Sequence, residues 1–292
     1  MTSNPPVPAK KDPARHLRLG NLRQIGILTP HIVWCAIFII VPLLFVLYYT
    51  FTDRSGAFTT ANLQFLGTPE ILKCFGLSLL YALVATAVCL VLAYPLALAI
   101  SKLKSNHQSL ATLLLMLPMW VSFIIRTYTL KNIFNDNGII NQFVTMLGGG
   151  EIKFLGQSWL IILGMVYDFL PYMVMPIVTV LTGIDPKLHE AAADLGYSPV
   201  RAFLHVTLPL SRAGIISGIT MVFVRCVSTF YISSTLSGGT VTLIGDKIES
   251  AFLSNSNFQQ GSAMSFVLMI LILISILVMN KFGDKESEEL LA

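Results

Sequence analysis

Residues 185–209 read DPKLHEAAADLGYSPVRAFLHVTLP, a polar stretch with two helix starts and two helix stops set between long apolar runs. Asp185-Pro186 is an N-cap followed by proline at the first helical position, where its missing N–H costs nothing. From Pro186 the spacing predicts a helix with Leu188, Ala191, Ala192 and Leu195 on one apolar face. Gly196 then supplies the left-handed residue with which helices commonly end. Ser198-Pro199 repeats the cap-plus-proline start. The second helix places Val200, Phe203, Leu204 and Thr207 together before Pro209 stops it. The expectation is a helix–turn–helix lying on a membrane surface.

Outward from this stretch the chain is dominated by apolar residues. Of its 292 residues 54% are hydrophobic and 12% charged, with a mean hydropathy of +0.74. A soluble domain carries about twice that charge, so this much apolar surface calls for a bilayer. A spanning helix needs about 20 apolar residues, and six segments qualify: 26–50, 75–101, 109–130, 158–182, 212–236 and 262–280. The first is longer than a signal-peptide core and lacks a small-residue cleavage site, which reads as an uncleaved span. Twelve Lys and Arg fall in the loops on the side of the N-terminus and five on the other side. The positive-inside rule therefore puts both termini in the cytoplasm. Residues 1–25 read as a disordered basic tail near anionic lipid, 26–280 as the membrane domain with its loop 183–211, and 281–292 as a second cytoplasmic tail.

The loop carries a spaced pattern as well as caps. Glu190-Ala191-Ala192, three residues, Gly196, nine residues, then Val206-Thr207-Leu208-Pro209 resembles the EAA loop of ABC importer permeases, with Val206 in place of the usual isoleucine. Further stretches resemble the polyamine (spermidine/putrescine) permease subfamily of the type I importers. They are Ile125-Arg126-Thr127-Tyr128, Asn137-Gly138-Ile139-Ile140-Asn141, Leu170-Pro171-Tyr172 through Pro176, and Phe230-Tyr231-Ile232-Ser233 leading to Leu243-Ile244-Gly245. The resemblance covers roughly residues 110–250. It implies an all-α integral membrane protein, a MetI-like bundle of six transmembrane helices in a bacterial cytoplasmic (inner) membrane. It also implies that Glu190, Ala191, Ala192, Gly196, Leu208 and Pro209 form a coupling helix seated on an ATPase. The implied partners are a second permease, two copies of the ATPase, an extracytoplasmic solute-binding protein and membrane lipids. A short helix with alanines lets backbones approach closely, and a fixed Gly196 turn makes the loop the rigid lever that nucleotide-driven rocking requires.

No Gly-x4-Gly-Lys-Ser/Thr occurs in the chain, so ATP and its Mg²⁺ belong to the partner ATPase and this chain is expected to carry no cofactor and no catalysis. Cys35, Cys74, Cys89 and Cys226 are scattered without metal-ligand spacing, and the five histidines are likewise dispersed. The basic residues form no stripe of the kind that binds nucleic acid.

Ionisable residues within spans are costly and mark function by default. Asp168, flanked by Tyr167 and Tyr172, suits a cation through ion pairing and cation–π contact; the competing reading is an internal pair with Arg126 or Arg225. Arg126 sits about one turn from the end of its span and is able to snorkel, while Arg225 lies nearer mid-span and calls for an internal partner. Phe230 and Tyr231 suit a gate or an interface belt. Gly214 and Gly218 form a GxxxG, which serves packing inside the bundle or against the second permease. Residues 139–147 read as a surface helix that receives a binding protein or simply links two spans. In the last loop Asp246 and Glu249 suit a cation, with Lys247 between them opposing it. Polyamine import is the leading expectation. The alternatives are another small solute on the same architecture, or an ion-coupled secondary transporter, for which neither an inverted repeat nor a carboxylate relay is visible.

Overall fold

The computed structural model describes residues 29–254 and 257–289, with side chains as far as Lys281. The whole of the tail read over 1–25 therefore lies outside the described residues, as do Gly26 to Leu28 of the first span. Among the described residues the chain is helical, with a single isolated bridge between Thr52 and Phe58.

Four helices are long and apolar enough to span: α1 (Thr29–Thr50), α3 (Pro69–Ser101), α7 (Ser158–Thr182) and the first 24 residues of α13 (Phe258–Glu289). A short α2 (Ala61–Leu66) precedes α3. The third span is a bent pair, α4 (Ser105–Trp120) and α5 (Phe123–Ile133), at 85° to one another. The apolar segment over 109–130 is thus divided between two helices rather than continuous. Pro118 lacks the N–H that would continue the ladder, Val121 is extended, and the Arg126 amide restarts the helix on the Ser122 carbonyl. The fifth span is α10 (Arg212–Ser228), after which Thr229 is extended and a short α11 (Tyr231–Leu236) completes the segment expected as one helix. α13 runs through Glu289, across most of the segment read as a tail.

The core is made where α3, α7 and α10 pack together. In lipid no hydrophobic force drives helices together, so close contact between small residues has to supply the attraction. α3 presents Ala82, Ala85, Cys89, Ala93 and Ala97, all fully buried and three or four residues apart, as a smooth stripe. Met165, Met173 and Ile177 of α7 and Val222 and Cys226 of α10 fill the space against it. The GxxxG of α10 serves this internal packing: a Cβ on Gly214 would lie 2.8 Å from the Pro176 carbonyl oxygen, and one on Gly218 2.7 Å from the Met173 sulfur. Polar ties finish the bundle. The Tyr81 hydroxyl donates to Ser158 Oγ at 2.7 Å, and the Ile244 amide to Ser78 Oγ at 2.8 Å. In contrast α1 buries almost nothing; it reaches α13 through Tyr49 and Phe258, whose ring centroids are 6.2 Å apart.

Candidate functional site

At one end of α7 the chain leaves the bundle through the capped stretch. Asp185 is extended and its Oδ1 accepts from the Lys187 amide at 2.9 Å, starting α8 (Pro186–Asp194). The helix closes on a double bond pattern: the Tyr197 amide donates to the Ala192 carbonyl at 3.0 Å and the Gly196 amide to Ala193 at 2.9 Å. Gly196 has φ +77°, which side chains with a Cβ adopt only at a cost. Ser198 and Pro199 start α9 (Pro199–Leu210), which widens to a π turn over Phe203–Thr207. That turn directly precedes Pro209, whose ring would otherwise press on the carbonyl four residues back.

The pair is held as one body. His189 Nε2 lies 3.0 Å from Thr207 Oγ1, and Ala192, Ala202 and Thr207 are buried between the helices and the bundle. The apolar faces expected from spacing each split in two. Ala192 turns in while Leu188 and Leu195 stay outside; Phe203 and Thr207 turn in while Val200 and Leu204 stay outside. Leu195 is 78% and Val200 67% exposed, and Glu190 and Ala191 are exposed beside them. Leu208 and Pro209 are half-buried at the foot of the pair. The result is a rigid, mixed apolar and acidic surface standing clear of the bundle.

A second region lies where α10 breaks. Phe123, Phe169, Arg225, Ser228, Thr229, Phe230 and Tyr231 line a cavity of about 220 Å³. Phe123 stacks on Phe169 at 6.3 Å and meets Tyr231 at 6.0 Å. The Arg225 guanidinium sits 3.8 Å over the ring of Tyr172, so its internal partner is an aromatic face rather than a carboxylate. Phe230 and Ser228 also border a larger apolar cavity of about 470 Å³ whose one charged lining group is Glu249.

Asp168 is not open to either cavity side in this conformation. It is 1% exposed, its Oδ1 lies 3.0 Å from Arg126 Nη1, and the Thr127 hydroxyl stands 3.2 Å from its Oδ2. Arg126 is 8% exposed, so it turns inward rather than snorkelling. The two groups are close but not aligned as a hydrogen bond, which makes the contact chiefly Coulombic. The 85° bend is the geometric counterpart of this pair, because it brings α5 and Arg126 back against α7. Of the aromatic residues read beside Asp168, Tyr167 is exposed and Tyr172 lies under Arg225.

The remaining expectations sort as follows. Residues 139–147 form α6 (Ile139–Met146), ended at Gly148 and stitched by Asn141 to the Ile152 backbone at 2.9 and 3.0 Å. The last loop folds as α12 (Ile244–Leu253), where Asp246 accepts from the Leu243 amide at 2.7 Å and from Ser233 Oγ at 2.8 Å. Burial pushes the Asp246 carboxyl above its ordinary range, against the pull of those two donors. Lys247 pairs with Glu70 and is held in its charged form by it. Sequence reasoning missed Gln108, Ser109 and Thr112, which line a depression of about 490 Å³ along α4 with Trp120. The signal was an amide and two hydroxyls on adjoining turns of an otherwise apolar span.

Residues 96–284 match the model of the family described as "Binding-protein-dependent transport system inner membrane component". The chain is 34% identical over 266 residues to the spermidine/putrescine transport system permease protein PotB of Haemophilus influenzae, covering 87% of this chain and 93% of that one. Its fold matches a bacterial ABC transporter involved in the import of the acidic polysaccharide alginate, with a TM-score of 0.77 at 16% identity over 94% of this chain and 99% of the other. The same kind of transporter has been solved with an alginate pentasaccharide-bound periplasmic protein; there the TM-score is 0.73 at 14% identity, over 91% of this chain and 95% of the other. A capped helix pair standing on a bundle of bent and straight spans, together with these matches, identifies the chain as a permease subunit of the binding-protein-dependent ABC importer family.

Proposed function

We propose that this permease carries polyamines, spermidine and putrescine, across a bacterial inner membrane. It does so by alternating access, as one half of a pore completed by a second permease. The observation that carries the reading is 34% identity over nearly the whole chain to a permease named for those cargoes. Both termini face the cytoplasm, as the twelve-to-five excess of Lys and Arg supports. The chain divides into a basic tail over 1–25, a membrane domain over 26–280 and a short tail over 281–292.

The α8–α9 pair is the seat of an ATP-binding-cassette ATPase present in two copies, which binds ATP and Mg²⁺. Leu195 and Val200 supply exposed apolar area, and Glu190 supplies charge for such an interface. Closure of the ATPases pulls the two seats together, and the permeases rock from inward to outward. A solute-binding protein delivers cargo at the opposite end. Phe230 and Tyr231 offer aromatic faces to an ammonium; Tyr172, Tyr167 and Asp168 complete the path if Arg225 leaves the Tyr172 ring and the Arg126 pair opens during the cycle.

A second reading, a cargo with an acidic group, is favoured by Arg225. Its guanidinium is the charge on the wall of the 220 Å³ cavity, and it would repel a polyamine and attract a carboxylate. Uptake of radiolabelled spermidine and putrescine by the complete transporter in proteoliposomes tests both. ATP-dependent accumulation supports the polyamine reading; accumulation of a small carboxylate with no polyamine uptake supports the second.

A further inference from the structure

α9 and α10 meet at an elbow of 61°, and Ser211 is the residue at its apex. Ser211 is fully buried although it stands where the exposed helix pair joins the bundle. Its hydroxyl proton goes to the Leu208 carbonyl at 3.0 Å, which ties the apex to the last turn of α9. The oxygen that remains is an acceptor, and the Tyr94 hydroxyl of α3 lies 2.9 Å away as its donor. The same Tyr94 ring meets Phe203 of α9 edge-on, with centroids 5.8 Å apart and planes at 79°. One side chain of α3 thus grips both the lever and its joint. Pro95 follows it directly, so the α3 ladder lacks one bond at that turn and bends there at lower cost. Just beyond Tyr94 on either side, Ala93 and Ala97 sit in the fully buried stripe against α7 and α10.

We propose that Tyr94 is the positioning residue that transmits movement of the α8–α9 pair into the bundle. Through the Ser211 bond and the Phe203 ring, the elbow and the turn of α3 around Pro95 move as one piece. Without that grip the lever swings on Ser211 alone, and α10 and α3 stay behind. This rests on the α8–α9 pair being the ATPase seat.

The test uses the complete transporter, reconstituted with its second permease, ATPase and binding protein, and compares wild type with Tyr94→Phe, Ser211→Ala and the double variant. Three quantities are read: ATPase retained on purification, basal ATP hydrolysis, and the stimulation of hydrolysis by the cargo-loaded binding protein. Each single variant should lose about five-fold of the stimulation, the scale set by one buried hydrogen bond. The double variant should lose no more than the stronger single one, because both remove the same bond. Retention and basal hydrolysis should stay at the wild-type level. Wild-type stimulation in all three variants, additive losses in the double, or loss of the ATPase from the complex would each overturn the transmission role. A wild-type complex that retains no ATPase would instead remove the seat on which the proposal stands.

Discussion

The helix pair at 186–210 and the break at 228–231 are both interruptions of a helical bundle, and they are built in opposite ways. At the pair the devices that shape it are local: Asp185 caps α8, Gly196 ends it, Ser198 restarts it, and His189 reaches Thr207 across eighteen residues, with Tyr94 of α3 the long-range contact. Leu188, Leu195, Val200 and Leu204 are left outside, as on a surface that completes itself against another protein. At the break, little is local. Arg225 rests on Tyr172 and Phe123 on Phe169, while nearby Arg126 is neutralised by Asp168, each contact joining different spans. The first region is a compact helix pair braced by its own caps and turn. The second is a junction of several helices around a cavity. On the proposed reading, stiffness lies where the motor seats and adjustability where the solute passes.

The largest expected effect comes from breaking the long-range side. Arg126→Ala leaves Asp168 buried without its partner and should cost about 3–5 kcal/mol, seen as loss of heat-stable protein in detergent. Arg126→Ala combined with Asp168→Ala should recover much of it. Next, Glu190→Lys should leave insertion unchanged and lower ATP-dependent uptake more than about ten-fold, since a reversed charge at a docking surface costs several kcal/mol. Smaller still, Gly196→Ala forces a Cβ into φ +77° in otherwise open space. At about 1–2 kcal/mol, it should speed hydrogen exchange around residues 193–197 about ten-fold while the spans keep their protection. The smallest effect sharpens the identity of the cargo. Arg225→Gln should lower the KM for spermidine about two- to five-fold if polyamines pass the 220 Å³ cavity, the scale of one exposed charge interaction. A KM for a small carboxylate raised by the same variant would favour the acidic cargo.

How far each region was legible follows from the same contrast. Caps, Pro and Gly punctuation and the EAA spacing lie within twenty-five residues, so the helix pair was readable down to its turn residue. Six apolar segments were readable because a bilayer demands a length. The 85° bend was not, because Pro118 alone permits a kink without setting its angle; the angle goes with bringing Arg126 to Asp168, in the next span along the sequence. Arg126 looked free to snorkel for the same reason: its distance from the end of a straight helix is no guide once the helix turns inward. Asp246 looked like a cation site and is tied down by Ser233 and the Leu243 amide, partners fixed only by the fold of its loop. Tyr94 carried no signal of its own, since an aromatic residue before a proline in an apolar run is common in membrane helices.

The exposed helix pair at one end of α7 is proposed to seat a separate ATPase, and position-specific cross-linking puts that seat to the test. Leu195→Cys, at a site 78% exposed on the pair, is compared with Leu147→Cys, at a site 73% exposed beyond the other end of α7. With a bifunctional thiol reagent on membranes containing the complete transporter, Leu195→Cys should trap a nucleotide-binding subunit and Leu147→Cys should not. Trapping of that subunit from Leu147→Cys, or no ATPase captured from Leu195→Cys in a transport-competent complex, would contradict the account.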